Sequence, residues 1–181
     1  NTFGVIATAN SSTTNGSSIL VRIAQNAGQV TTNIANNFVH QYNTMGIYML
    51  LGSPSALAGG AGSYRATVTG NTVSNPGAFA SNGIHLNSGN VGGDTFTSCI
   101  NITGNNIVGS GFGGGTDFRL RQRQSTTVTI PGYGGLANDI AAVVAYVQSL
   151  NPGVPTGSAA VNTPPGGGFI NGAACALPVL P

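Results

Sequence analysis

Short segments that alternate apolar and polar residues recur along this chain. Three of them read alike, GIYMLLG, GIHLNSG and DFRLRQ, and they begin at Gly46, Gly83 and Asp117, which lie 37 and 34 residues apart. Ser18–Ile23 is an earlier member of the series. Alternation bounded by Gly, Asn and Ser is typical of strands that end in turns. The pattern therefore predicts one such strand in each repeat.

A second series lies between the first. Its apolar anchors Ile34, Val68 and Ile102 are 34 residues apart each time, and the first copy is one residue shorter after its anchor. Each copy carries an asparagine at a predicted turn. Asparagine tolerates the left-handed turn conformation, and a column of like amides hydrogen-bonds along a stack. We expect an asparagine ladder formed by Asn36, Asn71 and Asn105.

No single copy is long enough to bury a core, but stacked copies are. Strand period two assigns like positions to the inside of such a stack: Ile19, Ile47, Ile84 and Phe118, and two residues further Val21, Met49, Leu86 and Leu120. The alternate positions point outward: Leu20, Tyr48, His85 and Arg119. The repeats therefore predict a solenoid of stacked parallel strands.

The sequence Gly-Ile-x-Leu followed by x-Thr-Gly-Asn-x-Ile/Val resembles the right-handed parallel β-helix, or pectin-lyase-like, superfamily over about residues 17–130. The resemblance implies an all-β fold, a right-handed parallel β-helix. Residues 118–135, with Cys175 further on, are similar to C-terminal modules of large secreted bacterial cell-surface β-helix proteins. That likeness implies a cell-surface or matrix role.

Three regions are expected: 1–16 as an N-terminal strand and polar loop, 17–135 as the β-solenoid, and 136–181 as a capping helix and a Pro/Gly-rich extended tail. The N-terminal strand is predicted over Phe3–Thr8. Apolar residues at helical spacing predict a helix that begins at Asp139, is capped by Asn138 and stops at Asn151-Pro-Gly. We expect this helix to cover the open end of the solenoid; the alternative is a docking helix for another protein.

Composition excludes several classes of protein. Only 4% of the 181 residues are charged, five arginines against three aspartates, and the net charge is +2. A nucleic-acid-binding protein needs a basic face with more charge. No apolar run is long enough for a membrane span. Disordered chains combine low hydropathy with high net charge, whereas 40% of this chain is hydrophobic.

Cys99 and Cys175 are the two cysteines of the chain. An even number in a chain without lysine favours one disulfide and an oxidising, extracellular compartment. Two buried free thiols are the alternative.

Little catalytic chemistry is expected. Glycosidases need two carboxyl groups close together, and the enzymes of the resembling family use clustered acids. Asp94, Asp117 and Asp139 share no position one repeat apart. His40 and His85 stand alone, without Cys or acid at metal-ligand spacing. We therefore expect no catalytic residue, no metal and no cofactor.

One charge cluster is present, on the strand that begins at Asp117. Alternation places its arginines on one outward face, and Asp117 on the same face is positioned to pair with Arg119. Arginine binds carboxylates in a bidentate fork, so this face is a candidate for anionic glycans or a protein partner. A simple solvated face is the alternative. The candidate residues are Arg119, Arg121, Arg123, His85 and Tyr48.

These features favour a non-enzymatic, extracellular structural protein, a self-assembling subunit of a bacterial surface fibre, sheath or matrix. A nearly uncharged surface allows copies to associate, and open solenoid ends expose strand edges. The partner expected first is a second copy of the chain. Candidate contacts at the two ends are Phe3, Val5 and Ile6, and Ile140, Val144 and Val147. The alternatives are an adhesin or carbohydrate-binding module and a fragment of a polysaccharide-active enzyme.

Overall fold

The computed structural model describes residues 1–8, 11–13, 16–25, 28–54, 58–108, 115–153, 156–161 and 167–175. In chain order its elements are β1 (Thr2–Phe3), β2 (Ile19–Ile23), β3 (Gln29–Ala35), β4 (Phe38–His40), β5 (Met45–Leu51), β6 (Ser63–Thr69), β7 (Thr72–Ser74), β8 (Asn82–Ser88), β9 (Thr97–Thr103), β10 (Asn106–Val108), β11 (Thr116–Gln122), β12 (Thr127–Thr129), α1 (Ile140–Leu150), β13 (Gly157–Val161) and β14 (Gly168–Ile170).

The strands form three sheets in which every pairing between described strands is parallel. Sheet 1 has the order β1-β4-β7-β10, sheet 2 has the order β2-β5-β8-β11-β13, and sheet 3 has the order β3-β6-β9-β12-β14. Each of the first four coils contributes one strand to each sheet in turn. In the last coil α1 precedes β13 and β14, and no described strand is added to sheet 1. The protein is therefore a parallel β-solenoid with one short helix near its C-terminal end, and the predicted fold class is confirmed.

The predicted inward columns occur as expected. Ile19 pairs with Ile47, Ile47 with Ile84, and Ile84 with Phe118, and the column of Met49, Leu86 and Leu120 follows in the same register. The members of these columns in the second to fourth coils are almost completely buried in one continuous core. The outward column of Leu20, Tyr48, His85 and Arg119 is also in register. The alternation of apolar and polar residues thus predicts the observed register of β2, β5, β8 and β11.

The N-terminal segment differs from its prediction. Only Thr2–Phe3 is a strand, and it already belongs to sheet 1 through its pairing with β4. Gly4 and Ala7 have φ angles of +82° and +66°, which turn the chain out of the extended conformation predicted for Phe3–Thr8. A Cβ at Gly4 would lie 2.1 Å from the carbonyl oxygen of His40, so this turn needs glycine.

The C-terminal region closes the solenoid. α1 begins at Ile140, and Asp139, rather than Asn138, is its N-cap: the Asp139 carboxylate accepts a hydrogen bond from the N–H of Ala142 at 3.0 Å. Val143 and Val147 are buried against the core. The region after the helix is not only a tail, because β13 and β14 add one more strand to sheets 2 and 3.

The predicted disulfide between Cys99 and Cys175 is present, with 5.5 Å between the two Cα atoms. It joins β9, in the middle of sheet 3, to the segment that follows β14. In the chain-entropy picture, closing a loop of this size stabilises the fold by about 4 kcal/mol.

Candidate functional site

Most of the positive charge of the chain lies on the outer face of sheet 2. Arg119 and Arg121 occupy alternate positions of β11, and Arg123 follows the strand with its backbone N–H bonded to the Ser88 carbonyl at 2.8 Å. Arg22 of β2 belongs to the same register row as Arg121, through Leu50 and Asn87. Four of the five arginines therefore lie on or beside one sheet face.

The arginines of this face act electrostatically on one another and on Tyr48. Partial burial, and then the charges of Arg119 and Arg123, lower the pKa of Arg121. Burial raises the pKa of the Tyr48 hydroxyl, although the charges of Arg121, Arg22 and Arg123 oppose that rise. Tyr48 thus lies within the field of three arginines. An anion bound there would relieve the repulsion between these side chains.

His85 lies beside Tyr48 but is not solvent-exposed as predicted for an outward position. Only 3% of His85 is exposed, its ring stacks on Tyr48 with 5.0 Å between centroids, and neither ring nitrogen has a hydrogen-bond partner among the described residues. Burial lowers the pKa of His85 to about 3, and Arg119 and Arg121 add to that effect. The alternation of residues along β8 predicts that His85 points outward, but it cannot predict that the Tyr48 ring covers the His85 side chain.

Asp94 has a structural role in the loops next to sheet 2. Its side chain is fully buried and accepts hydrogen bonds from the N–H groups of Asn90 (2.7 Å), Val91 (2.9 Å), Gly60 (2.9 Å) and Ser53 (3.4 Å). Burial alone would raise the pKa of this carboxyl, but the four N–H donors outweigh it and the pKa is lowered. Asp94 therefore holds two loops together as an ionised group.

Asp117 does not form the predicted pair with Arg119. It is fully buried, and its Oδ2 accepts hydrogen bonds from the backbone N–H (2.8 Å) and the hydroxyl (2.7 Å) of Thr156. The register places Asp117 in the column that holds Gly83 in the coil before it. Because this column lies at the corner between sheets 1 and 2, the Asp117 side chain faces Thr156 of the last coil and not the outer face of sheet 2.

The three aspartate side chains thus make hydrogen bonds in three separate parts of the fold, with Asp139 capping α1. Within the described ranges, no group of three His, Cys, Asp or Glu side chains could hold a metal ion. With 11 residues, the one described helix does not reach the length that a membrane-spanning helix needs.

An asparagine ladder runs along the turn between sheets 3 and 1, and one of its members was assigned wrongly. Asn37, not Asn36, precedes Asn71 and Asn105. Asn36 aligns with Gly70 and Gly104 instead, and all three have φ between +55° and +63°. The 34-residue spacing therefore holds from Asn37 through Asn71 to Asn105, and the first copy is not shorter. From the sequence, Asn36 and Asn37 are both candidates for the ladder. They are distinguished by the backbone conformation, which is left-handed at Asn36.

The ladder has a direction and two different ends. In each internal coil, the backbone N–H and the Nδ2 of one asparagine both donate to Oδ1 of the next: Asn37 to Asn71, Asn71 to Asn105, and Asn105 to Asn151, at 2.9 to 3.1 Å. Asn1 extends the ladder by donating its Nδ2 to Asn37 at 3.2 Å. Asn1 and Asn151 were not predicted as members, although the Asn-x-apolar pattern of residues 1–3 was a usable signal for Asn1.

The candidate assembly contacts are distributed unevenly between the two ends. Val5 and Ile6 are each 61% exposed, whereas Phe3 is half-buried against the core. At the other end Ile140 is 42% exposed and Val144 is half-buried, but Val147 is completely buried. Val147 therefore offers no surface to a partner, because α1 uses it to cover the core.

Comparisons with protein families, curated proteins and solved structures found no match. The geometry itself defines the class: a parallel β-solenoid held by an internal asparagine ladder and one disulfide, with a short helix packed on the core near its C-terminal end.

Proposed function

We propose that the protein is a non-enzymatic, extracellular structural protein whose β-solenoid is part of a bacterial surface fibre, sheath or matrix. The observation that carries this proposal is a β-solenoid of stacked parallel strands in a chain of which only 4% is charged. A surface with so little charge gives weak repulsion between neighbouring molecules, which allows a solenoid to pack into an assembly.

Two other features support the proposal. The Cys99–Cys175 disulfide fits an oxidising extracellular compartment. The carboxylates that a polysaccharide-active enzyme needs are engaged in loop and cap contacts, which argues against the enzyme-fragment alternative.

Negative-stain electron microscopy of the protein isolated from its native source without denaturant tests the proposal. We expect fibres, sheets or other extended particles that contain this chain. A uniform population of isolated monomers would contradict a structural role in an assembly.

Binding of anionic glycans is a second candidate function, and the arginine cluster on sheet 2 favours it. Tyr48 offers an aromatic surface for a sugar ring within the field of Arg22, Arg121 and Arg123. The probe is polygalacturonate, with neutral dextran as the comparison ligand. We expect the Arg119→Ala/Arg121→Ala variant to bind polygalacturonate at least about tenfold more weakly, because bidentate arginine–carboxylate contacts are lost.

The matched control is Arg65→Ala, since Arg65 belongs to β6 of sheet 3 and not to the arginine cluster. That variant removes one positive charge without touching sheet 2, so we expect it to bind like the unmodified protein. Equal losses in Arg65→Ala and in the single variant Arg121→Ala would mean that net charge alone causes binding, and the glycan function would be rejected.

A further inference from the structure

We infer that the Asn171–Gly172 step is a modification site at which the folded chain converts its own asparagine into aspartate or isoaspartate, with water as the second reactant. The step lies directly after β14 and just before Cys175. Two backbone N–H groups arranged around one side-chain amide carry the inference. It does not depend on the proposed structural function, because the reaction needs only this segment of the chain and water.

The reaction begins when the backbone nitrogen of Gly172 gives up its proton and attacks Cγ of Asn171. A bond forms between these two atoms, the Cγ–Nδ2 bond breaks, and Nδ2 leaves as ammonia with the proton that Gly172 lost. Water then opens the resulting cyclic succinimide at one of its two carbonyl carbons. Opening at Cγ gives aspartate, and opening at the main-chain carbonyl gives isoaspartate. Either product lowers the net charge of the chain by one.

Gly172 is positioned for this attack. Its N–H donates a hydrogen bond to Oδ1 of Asn171 at 2.8 Å, and Cγ is bonded directly to that oxygen. The attacking nitrogen therefore already lies beside the carbon that it must reach, as reacting atoms do in a near-attack conformation. Glycine has no side chain to obstruct the approach, and both residues of the step are exposed, so water has access.

A second N–H group stabilises the charge that develops during the attack. The Gly132 N–H donates to the same Oδ1 atom of Asn171 at 2.9 Å. Oδ1 becomes negatively charged as the new bond forms, and a donor already aimed at it lowers the barrier as in an oxyanion hole. The Tyr146 hydroxyl holds the other side of this peptide group, because it donates to the Pro131 carbonyl at 2.7 Å. Tyr146 is thus a positioning residue for the Gly132 donor.

The same dipeptide occurs at Asn82–Gly83, where the fold protects it. Asn82 is 2% exposed, and β8 lies between β5 and β11. Oδ1 of Asn82 accepts hydrogen bonds from the N–H and the hydroxyl of Thr116, both at 3.2 Å, which direct it towards the next coil. The ring closes here only after the strand has opened. Asn82–Gly83 is therefore an internal reference for the exposed step.

The two products differ in what they do to the segment before Cys175. Aspartate keeps Oδ1 as the acceptor for the Gly132 N–H, so the local fold is retained. Isoaspartate adds a methylene group to the main chain next to Gly172, where an added Cβ would lie 2.5 Å from Cγ2 of Thr129. We therefore expect isoaspartate to loosen the contact between this segment and β12.

Peptide mapping of the full chain by mass spectrometry, with the disulfide intact, tests the inference. The protein is incubated at mildly alkaline pH, which favours loss of the amide proton, both folded and unfolded in guanidinium chloride. In the unfolded chain Asn171 and Asn82 should react at similar rates, because each precedes a glycine. In the folded chain we expect Asn82 to react at least about tenfold more slowly, and Asn171 at least as fast as when unfolded.

Tyr146→Phe tests the role of the Gly132 donor, because it removes the hydroxyl that orients the peptide group. We expect conversion of Asn171 to slow by about threefold in the folded variant and to be unchanged in the unfolded one. Continued protection of Asn82 shows that the variant is folded. Asn171→Gln is the control for the assay: its longer side chain forms a larger ring much more slowly, so no product should appear at that position.

Two results would overturn the inference. In the first, Asn171 reacts about tenfold more slowly in the folded chain than in the unfolded one, so that the fold protects it as it protects Asn82. In the second, conversion of Asn171 in folded Tyr146→Phe is unchanged or faster, so that the oriented Gly132 donor does not promote the reaction.

Discussion

Asn71 and Asn105, 34 residues apart, are joined by two hydrogen bonds to a single atom: the N–H and the Nδ2 of Asn71 donate to Oδ1 of Asn105 at 3.1 and 2.9 Å. Both residues are fully buried. Buried amides at this position satisfy the polar backbone of the turn, where no sheet pairing is available. The ladder is therefore a stabilising element of the fold and the source of its direction.

Replacing Asn71 by alanine should destabilise the protein by about 3 kcal/mol, because several buried groups lose their partners at once. Among them are the Ile34 carbonyl, which accepts from Nδ2 at 2.8 Å, and the Asn37 N–H, which donates to Oδ1 at 3.0 Å. Chemical denaturation monitored by circular dichroism measures this loss.

Asn36→Gly is the matched control for that experiment. Asn36 has φ +55°, a conformation that glycine adopts without strain, and its equivalents in the next coils are Gly70 and Gly104. We expect the control to change the free energy of unfolding by less than about 0.5 kcal/mol. A large loss in Asn36→Gly would favour Asn36 as the ladder member that the sequence predicted, whereas no loss in Asn71→Ala would contradict a stabilising ladder of either composition.

Asp94 should make the protein sensitive to acid. Its folded-state pKa is lowered, since the N–H donors outweigh the effect of burial. The resulting stabilisation is present above the unfolded-state pKa of about 3.9 and is lost as the pH falls through the lower folded-state pKa. Asp94→Asn should cost about 2 kcal/mol at pH 7, because an amide nitrogen replaces one acceptor. The difference from the unmodified protein should then shrink below pH 4.

Asp139→Asn is the control, because asparagine caps a helix about as well as aspartate does. Urea denaturation of both variants at pH 7 and pH 3 measures the two effects. A difference between Asp94→Asn and the unmodified protein that stays constant from pH 7 to pH 3 would show that the Asp94 charge does not stabilise the loops.

The strands β2, β5, β8 and β11 of sheet 2 could be predicted from the sequence, whereas β13, which was expected to be part of a tail, could not. The inward column from Ile47 to Phe118 followed from alternation, because strand period two admits only one register that buries these side chains. The 34-residue period also located the ladder to within one residue. These predictions depend on local periodicity, which is visible in a single sequence.

Local periodicity does not predict the environment of an individual side chain. Asp117 was expected on the arginine face, yet it bonds Thr156, which lies 39 residues further along the chain and forms part of the last coil. Val147 was expected at an interface, but the helix turns it into the core. Both outcomes depend on how the last coil closes the solenoid, and no repeat in the sequence describes that closure.

Buried His85 should lower the stability of the protein in mild acid. Its folded-state pKa of about 3 lies below the ordinary value of about 6.5. The unfolded state therefore takes up a proton first, and stability declines as the pH falls from 6.5 towards 3. Between pH 6.5 and 4.5 this amounts to roughly 2 kcal/mol. His85→Phe keeps a ring against Tyr48 but cannot titrate, so its stability should fall less over that interval. Identical pH profiles for the two proteins would contradict the burial of a neutral His85.

Gly83 is a position where the fold has no room for a side chain. A Cβ there would lie 2.5 Å from Cγ2 of Ile107 and 2.6 Å from the carbonyl oxygen of Asp117, at the corner where sheets 1 and 2 meet. Gly83→Ala should therefore destabilise the protein by about 2 to 3 kcal/mol, because neither backbone nor core can move away cheaply. Gly92→Ala is the control, since nothing lies within 4 Å of its added Cβ, and we expect a change within about 0.5 kcal/mol. Thermal unfolding of the two variants measures the contrast, and equal stability would mean that sheets 1 and 2 pack less closely at this corner than the structure places them.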